Sequence, residues 1–384
     1  MILGIDASNI RAGGGVTHLQ ELLAAAEPER QGFGKVVVWA SAATLARLAE
    51  RPWLKKATEP ILERDALRRA LWQSFRLGAR ARDESCDLLL VPGGSFTTRF
   101  RPIATISQNL LPFQWHELLR YGASMMTLKM IALRFAQSWS FRKAGATIFL
   151  TEYARRAVLE VCGALPGPTP VIPHGIDPRF VQAPRRQREL AECDEANPFR
   201  ALYVSAVEPY KHQWQVAEAV AALRAGGMPI TLDLIGPANS GTLPKLIETL
   251  HRVDPSGSAI RYLGEVPYEA LHARYQAADL CVFASSCETI ANILIEGMAS
   301  GLPTACSDGG AMREVLGDAG VYFDPEEPAS IAAAIGQLAG SAELRAGKAQ
   351  LAFERAQRFS WSRCADETFS VLAKLANGGR TGQY

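Results

Sequence analysis

Glu288 and Glu296 lie eight positions apart in the segment Cys287-Glu288-Thr289-Ile290-Ala291-Asn292-Ile293-Leu294-Ile295-Glu296-Gly297-Met298-Ala299. The run before it, Asp279-Leu280-Cys281-Val282-Phe283-Ala284, is short and apolar, as a buried parallel strand is. A helical pattern follows, and Gly301-Leu302-Pro303 stops it before another strand. The spacing puts Glu288 on a strand-to-helix turn and Glu296 about two helical turns further in. Amides at a helix N-terminus hold an anion such as a diphosphate. A carboxylate beside them suits sugar or ribose hydroxyls, so the chemistry is that of a nucleotide-sugar site.

Other segments carry groups of the same kind. The strand Ala201–Ser205 runs into Ala206-Val207-Glu208-Pro209-Tyr210-Lys211-His212-Gln213, where Lys211 is a flexible cation at a strand-to-helix turn and suits a diphosphate leaving group. The first strand leads to Arg11-Ala12-Gly13-Gly14-Gly15-Val16-Thr17-His18, whose glycines let a backbone approach a ligand. They are contiguous and arrive late, so the dinucleotide fingerprint GxGxxG is not matched. Ser107-Gln108-Asn109 follows a strand, where open α/β sheets place ligands. In Pro173-His174-Gly175-Ile176-Asp177, Gly175 is read as permitting an unusual backbone angle and Asp177 as a cap or turn.

The Glu288–Glu296 block resembles the donor motif of the family 4 retaining glycosyltransferases, which have the GT-B fold. The resemblance continues through Ser307-Asp308-Gly309-Gly310 and Arg313-Glu314-Val315-Leu316-Gly317-Asp318-Ala319-Gly320, covers most of residues 170–325, and is weaker before them. It implies that Glu288 contacts the transferred sugar, Glu296 the ribose hydroxyls, and Lys211 the phosphates. By the same resemblance the amides of Ile290, Ala291 and Asn292 meet the diphosphate or the sugar, and the backbone at Gly264 faces the nucleobase. Gly14 and Gly15 fall beside the donor phosphates and the acceptor, and His174 lies in the segment joining the domains. Two positions depart from the pattern. Asn109 stands on the acceptor side where many members have His, and Ala206 stands where members often have Arg.

These groups need a frame. Short apolar runs alternate with helical patterns from Ile2–Ile5, Val36–Trp39, Leu88–Val91, Ile103–Ser107, Thr147–Leu150 and Val171–Ile172 through Ala201–Ser205, Ile230–Ile235, Ile260–Leu263, Leu280–Ala284 and Thr304–Ser307. That alternation is α/β with parallel sheets, and it supplies too many strands for one sheet. The 384 residues suffice for two cores. The expected fold is therefore GT-B, with two doubly wound, Rossmann-like domains facing a central cleft. Residues 1–172 form the acceptor-side domain and residues 173–361 the donor domain. The resemblance implies that a final helix, about 362–377, packs back on the first domain. Residues 182–199 read as a basic surface linker.

Composition narrows the class. Apolar residues make up 48% of the chain and charged residues 21%, as in soluble globular proteins. Residues 1–170 hold 22 Lys/Arg and 14 Asp/Glu, a balance of +8, while the remainder is at −6. Seven cysteines form neither a CxxC pair nor a metal spacing, which fits a reducing cytoplasm. Met1-Ile2-Leu3-Gly4-Ile5-Asp6 reads as a strand and not as a signal peptide, and no apolar run reaches bilayer length. The basic, apolar segment Leu118–Lys143 suits a peripheral contact with an anionic inner membrane, weighed against an ordinary core helix with a charged face. The aromatics are not interleaved as a stacking platform, so nucleic acid is not expected.

The expected function is a cytoplasmic retaining glycosyltransferase, at the cytoplasmic face of an inner membrane. Its donor would be a nucleoside-diphosphate sugar and its acceptor a saccharide or lipid-linked saccharide. The resemblance is nearest to bacterial members that build lipopolysaccharide O-antigen or exopolysaccharide. No cofactor or metal is expected, because the paired-Asp motif of metal-dependent transferases is missing. Glu288, Lys211 and His174 are the catalytic candidates. Two alternatives are a non-catalytic nucleotide-sugar-binding partner and a GT-B nucleotide-sugar epimerase.

Overall fold

The computed structural model describes residues 1–239 and 241–381. The chain divides into two compact units, Met1–Gly175 with the chain from Ser360 on, and Ile176–Phe359.

The first unit holds a six-stranded parallel sheet: β1 (Ile2–Asp6), β2 (Lys35–Trp39), β3 (Leu54–Ala57), β4 (Leu88–Val91), β5 (Ile103–Ile106) and β6 (Ala146–Ile148). Its order is β3-β2-β1-β4-β5-β6. The second holds β7 (Phe199–Val204), β8 (Ile230–Ile235), β9 (Ile260–Tyr262), β10 (Leu280–Phe283), β11 (Thr304–Ser307) and β12 (Gly320–Phe323), in the order β12-β11-β10-β7-β8-β9. Both are the doubly wound order 3-2-1-4-5-6. In each sheet the chain winds one way from the first strand and the other way from the fourth. The point of reversal lies between β1 and β4 in one unit and between β7 and β10 in the other.

Central strands are buried on both faces. Every residue of β4, β5, β10 and β11 is inside. Six helices matter for the sites: α1 (Gly14–Ala25), α2 (Ala66–Phe75), α3 (Met125–Phe141), α4 (Gln213–Ala225), α5 (Asn292–Ala299) and α6 (Trp361–Thr381). Helix α6 packs on α1 and β4, with Phe369 edge-on to Phe33 at 5.8 Å.

The structure corrects the sequence reading in several places. The edge strands β3 and β12 were not expected, because β3 is Leu54-Lys55-Lys56-Ala57 and β12 has two half-buried residues. Val171–Ile172 is no strand and makes a single bridge from Val171 to Phe149. Residues 182–199 are not a loose surface linker. Arg185 and Arg188 both bond the nearly buried Asp279 carboxylate, at 2.9 and 2.6 Å. The wholly buried Arg345 donates to the Arg188 carbonyl. Charge at the foot of β10 thus pins the segment.

Candidate functional site

In the second unit β7 and β10 are hydrogen-bonded neighbours, and their following loops leave the carboxyl edge of the sheet side by side. After β7 the chain makes the 3-10 turn Pro209–Lys211, and His212 takes a left-handed conformation (φ 53°) to start α4. After β10 comes the loop 284–291. The loops are tied together: the Ser286 amide donates to the Tyr210 carbonyl at 2.9 Å, and Ser286 Oγ shares a hydrogen bond with His212 Nε2 at 3.0 Å. The Ser307 hydroxyl donates to the Ser285 carbonyl at 2.5 Å.

On this scaffold Lys211 Nζ meets Glu288 Oε1 as an ion pair, with 10% and 16% of the two side chains exposed. The ammonium also lies 5.1 Å from the Tyr210 ring centre and 5.7 Å from that of Phe283. The topology therefore brings together a cation and a carboxylate 77 residues apart, at the point where an open α/β sheet accepts ligands.

Glu296 lies on α5 in the same unit and is buried. Tyr275 Oη donates to its carboxylate at 3.2 Å. Burial pushes the Glu296 carboxyl up to about 8, against the hydrogen bonds from Tyr275 and Tyr268, which lower it. The group is thus largely protonated at neutral pH. Burial also carries the Tyr275 phenol well above its ordinary value, and the nearby Glu296 adds to this. Asp177 starts the 3-10 turn Pro178–Phe180 and pairs with Arg179 at 2.5 Å. Burial raises its carboxyl, but the Arg179 bonds outweigh that and leave it low.

Helix α5 begins later than the sequence suggests. Its N-cap is Ala291, which offers no side-chain bond, so Glu296 stands just past the first turn rather than two turns in. Ile290 and Ala291 precede the helix and are buried, and the Asn292 amide donates back to the Ile290 carbonyl at 3.1 Å. Gly264 has a left-handed backbone (φ 70°) after β9, and its carbonyl accepts from the Gly236 amide at 2.9 Å.

In the first unit Gly14 and Gly15 are the first two residues of α1, and the positive-φ residue before them is Gly13 (φ 65°). The helix thus starts at the carboxyl edge beside the β1–β4 reversal, with no side-chain cap. His18, one turn in, stacks on His174 with ring centres 4.5 Å apart, and His174 stacks on Trp361 at 5.3 Å. Gln108 Nε2 lies within hydrogen-bond distance of His18 Nδ1, at 2.9 Å. Burial drives the His18 ring well below its ordinary pKa, and the neighbouring His174 adds to this. Asn109 turns its Oδ1 to the Leu111 amide at 3.2 Å, so that side chain starts a turn while its neighbour Gln108 faces the histidine.

Two further sequence readings change. His174 belongs to the first unit and not to the second. Gly175 does not adopt an unusual angle. Its role is close approach, because a Cβ there would stand 2.1 Å from the Trp361 amide nitrogen. His18, Gln108, Trp361 and Tyr275 were not singled out from sequence. The four-residue step from Gly14 to His18 on a helix was the one legible signal.

The two doubly wound units agree with what sequence comparison finds. A model described as Glycosyltransferase Family 4 matches residues 12–180, and one described as Glycosyl transferases group 1 matches residues 198–341. The chain belongs to glycosyltransferase family 4. This family 4 chain is 30% identical over 206 residues to a D-inositol 3-phosphate glycosyltransferase of Corynebacterium urealyticum, covering 51% of the chain and 49% of the relative. It is 31% identical over 178 residues to the O-antigen chain mannosyltransferase B of Escherichia coli, covering 46% of each. It spans about half the length of these curated relatives. A crystal structure of Anabaena Alr3699/HepE in complex with UDP-glucose superposes with a TM-score of 0.72 at 20% identity, over 98% of this chain and all of that one. The fold is GT-B, built from two Rossmann-like units.

Proposed function

We propose that the chain transfers a sugar, with retention of anomeric configuration, from a nucleoside-diphosphate sugar to a saccharide or lipid-linked saccharide acceptor. The observation that carries this reading is the Lys211–Glu288 pair at the β7–β10 reversal. In the donor-free state each side chain neutralises the other. An incoming diphosphate competes for Lys211 and frees the Glu288 carboxylate for sugar hydroxyls. The bond from the anomeric carbon to the diphosphate oxygen breaks, and the acceptor oxygen attacks the same face. The acceptor proton passes to the departing diphosphate oxygen. Lys211 and the backbone amides near Asn292 stabilise the charge that develops there, so rate comes from positioning and electrostatics. Glu296 holds the ribose hydroxyls and Gly264 lies against the base.

In this reading Gln108, Asn109 and His174 bound the acceptor side. The named activity of the Escherichia coli relative supports a role in lipopolysaccharide, O-antigen or exopolysaccharide synthesis. Seven free, buried cysteines support a cytoplasmic location. No described helix is long and apolar enough to cross a membrane, and the contact proposed with an anionic inner membrane is peripheral.

Calorimetry with UDP-, GDP-, ADP- and dTDP-sugars tests the reading. Binding of one nucleotide class, lost in Glu296→Ala and Lys211→Ala, followed by transfer to a saccharide acceptor, is the expected result. No binding of any donor by the folded protein sinks it.

A further inference from the structure

Helix α3 is built inside out. Its buried residues are Thr127, Met130, Gln137, Ser138, Ser140 and Phe141, four of them polar. Its outer face carries Leu128, Phe135 and Trp139, exposed by 60%, 70% and 47%. These recur at helical spacing (i, i+7, i+11), so they form one row. Lys129 and Arg142, both exposed, flank it. Helix α2 repeats the arrangement: Leu67, Leu71 and Phe75, at i, i+4 and i+8, are exposed by 71%, 48% and 77%. Exposed Arg64, Arg68 and Arg76 stand around them.

One loop joins the two helices. The Thr97 amide donates to Gln73 Oε1 at 3.0 Å, and the Ser74 hydroxyl donates to Thr97 Oγ1 at 2.7 Å. The preceding residue, Phe96, donates its amide to Ser140 Oγ at 2.9 Å and sets its ring edge-on to Trp139 at 6.1 Å. The same loop adds Arg99 and Arg101, both exposed. Two apolar rows thus flank one cationic loop.

Charge identifies the occupant. From Arg64 to Lys143 the chain has thirteen Lys/Arg against five Asp/Glu, of which Asp65 faces Arg68 at 3.5 Å and Glu117 is bonded to Arg120 at 2.7 Å. A second copy of this chain would set like charges against each other. An apolar face framed by cations matches an anionic bilayer, with the apolar side chains at the acyl boundary and the guanidinium groups among the headgroups.

We propose that α2, α3 and the loop between Phe96 and Arg101 form a docking face for an anionic lipid surface. The inference deepens the peripheral membrane contact proposed above and rests on that reading. Docking presents the first unit to acceptors carried on lipid.

The test is flotation of the full chain with phosphatidylcholine vesicles, with and without phosphatidylglycerol, in the absence of any nucleotide-sugar. Donor calorimetry without vesicles runs alongside, so loss of docking and loss of the transferase reading separate. The expected result is binding that requires phosphatidylglycerol, weakens in high salt, and falls at least tenfold in Leu71→Glu/Phe75→Glu and in Leu128→Glu/Phe135→Glu. Both variants alter exposed side chains and should keep the wild-type unfolding midpoint and donor affinity. Vesicle binding that is absent, or unchanged in folded variants, overturns the proposal. So does a dimer, seen by sedimentation, that the same substitutions dissolve.

Discussion

Lys211 and Glu288 face each other from the loops that follow two adjacent parallel strands, and among the described residues neither makes a salt bridge to any other side chain. Removing one leaves the other's charge in a largely closed site. Lys211→Ala is expected to cost about 1–3 kcal/mol of stability, and Lys211→Met with Glu288→Gln to recover most of it. Urea unfolding of the single and double variants measures this. In steady-state transfer, Lys211→Ala should lower kcat about 10²–10³-fold. A variant that keeps full turnover would remove Lys211 from the chemistry.

Glu296 predicts a pH dependence. Its carboxyl is raised by burial to about 8 from 4.5, so the folded state holds a proton that the unfolded state has lost between those values. Stability from this group is full below about pH 4.5 and is lost as pH rises toward 8, by at most about 1.4 kcal/mol per pH unit. Glu296→Gln should flatten the dependence in urea titrations between pH 5 and 8. Because a carboxylate binds ribose hydroxyls better than a neutral acid, donor affinity should rise from pH 6.5 to 8.5 in the wild type and stay level in the variant.

His18 works in the opposite sense. Its pKa is depressed by burial and by His174, so it is neutral when folded. Stability is present above the ordinary histidine value and is lost as pH falls below about 6.5. Nitrogen NMR should show that the His18 ring does not titrate between pH 7 and 5.5. An ordinary titration there would contradict the stacked arrangement.

Gly175→Ala should destabilise the first unit by about 1–3 kcal/mol, since a methyl group would strike the Trp361 amide nitrogen. Trp361→Ala should not rescue it, because the nearest atom belongs to the backbone. Thermal unfolding of the single and double variants decides this, and a rescue would mean the indole ring is the obstacle.

The central strands were legible because burial on both faces makes them short apolar runs, as in Leu88–Val91 and Leu280–Phe283. The edge strands were not, since Lys55 and Lys56 carry no such signature. That Glu288 and Lys211 stand in loops after strands was legible from the apolar runs before them, while their roles and that of Glu296 came only from the family resemblance. The start of α5 was misjudged because Ala291 gives no capping signal. The His18–His174–Trp361 stack was hidden, because three distant segments meet only through the topology of the first unit.

The seven cysteines, read above as evidence of compartment, have a practical consequence. All are free and buried, and burial pushes the Cys86, Cys281 and Cys364 thiols up to about 12. The native chain should therefore be nearly inert to maleimides at neutral pH. A single cysteine introduced at Phe75 or Phe135 would be the one reactive handle, and an environment-sensitive dye there would report lipid contact without first stripping the protein of its own thiols.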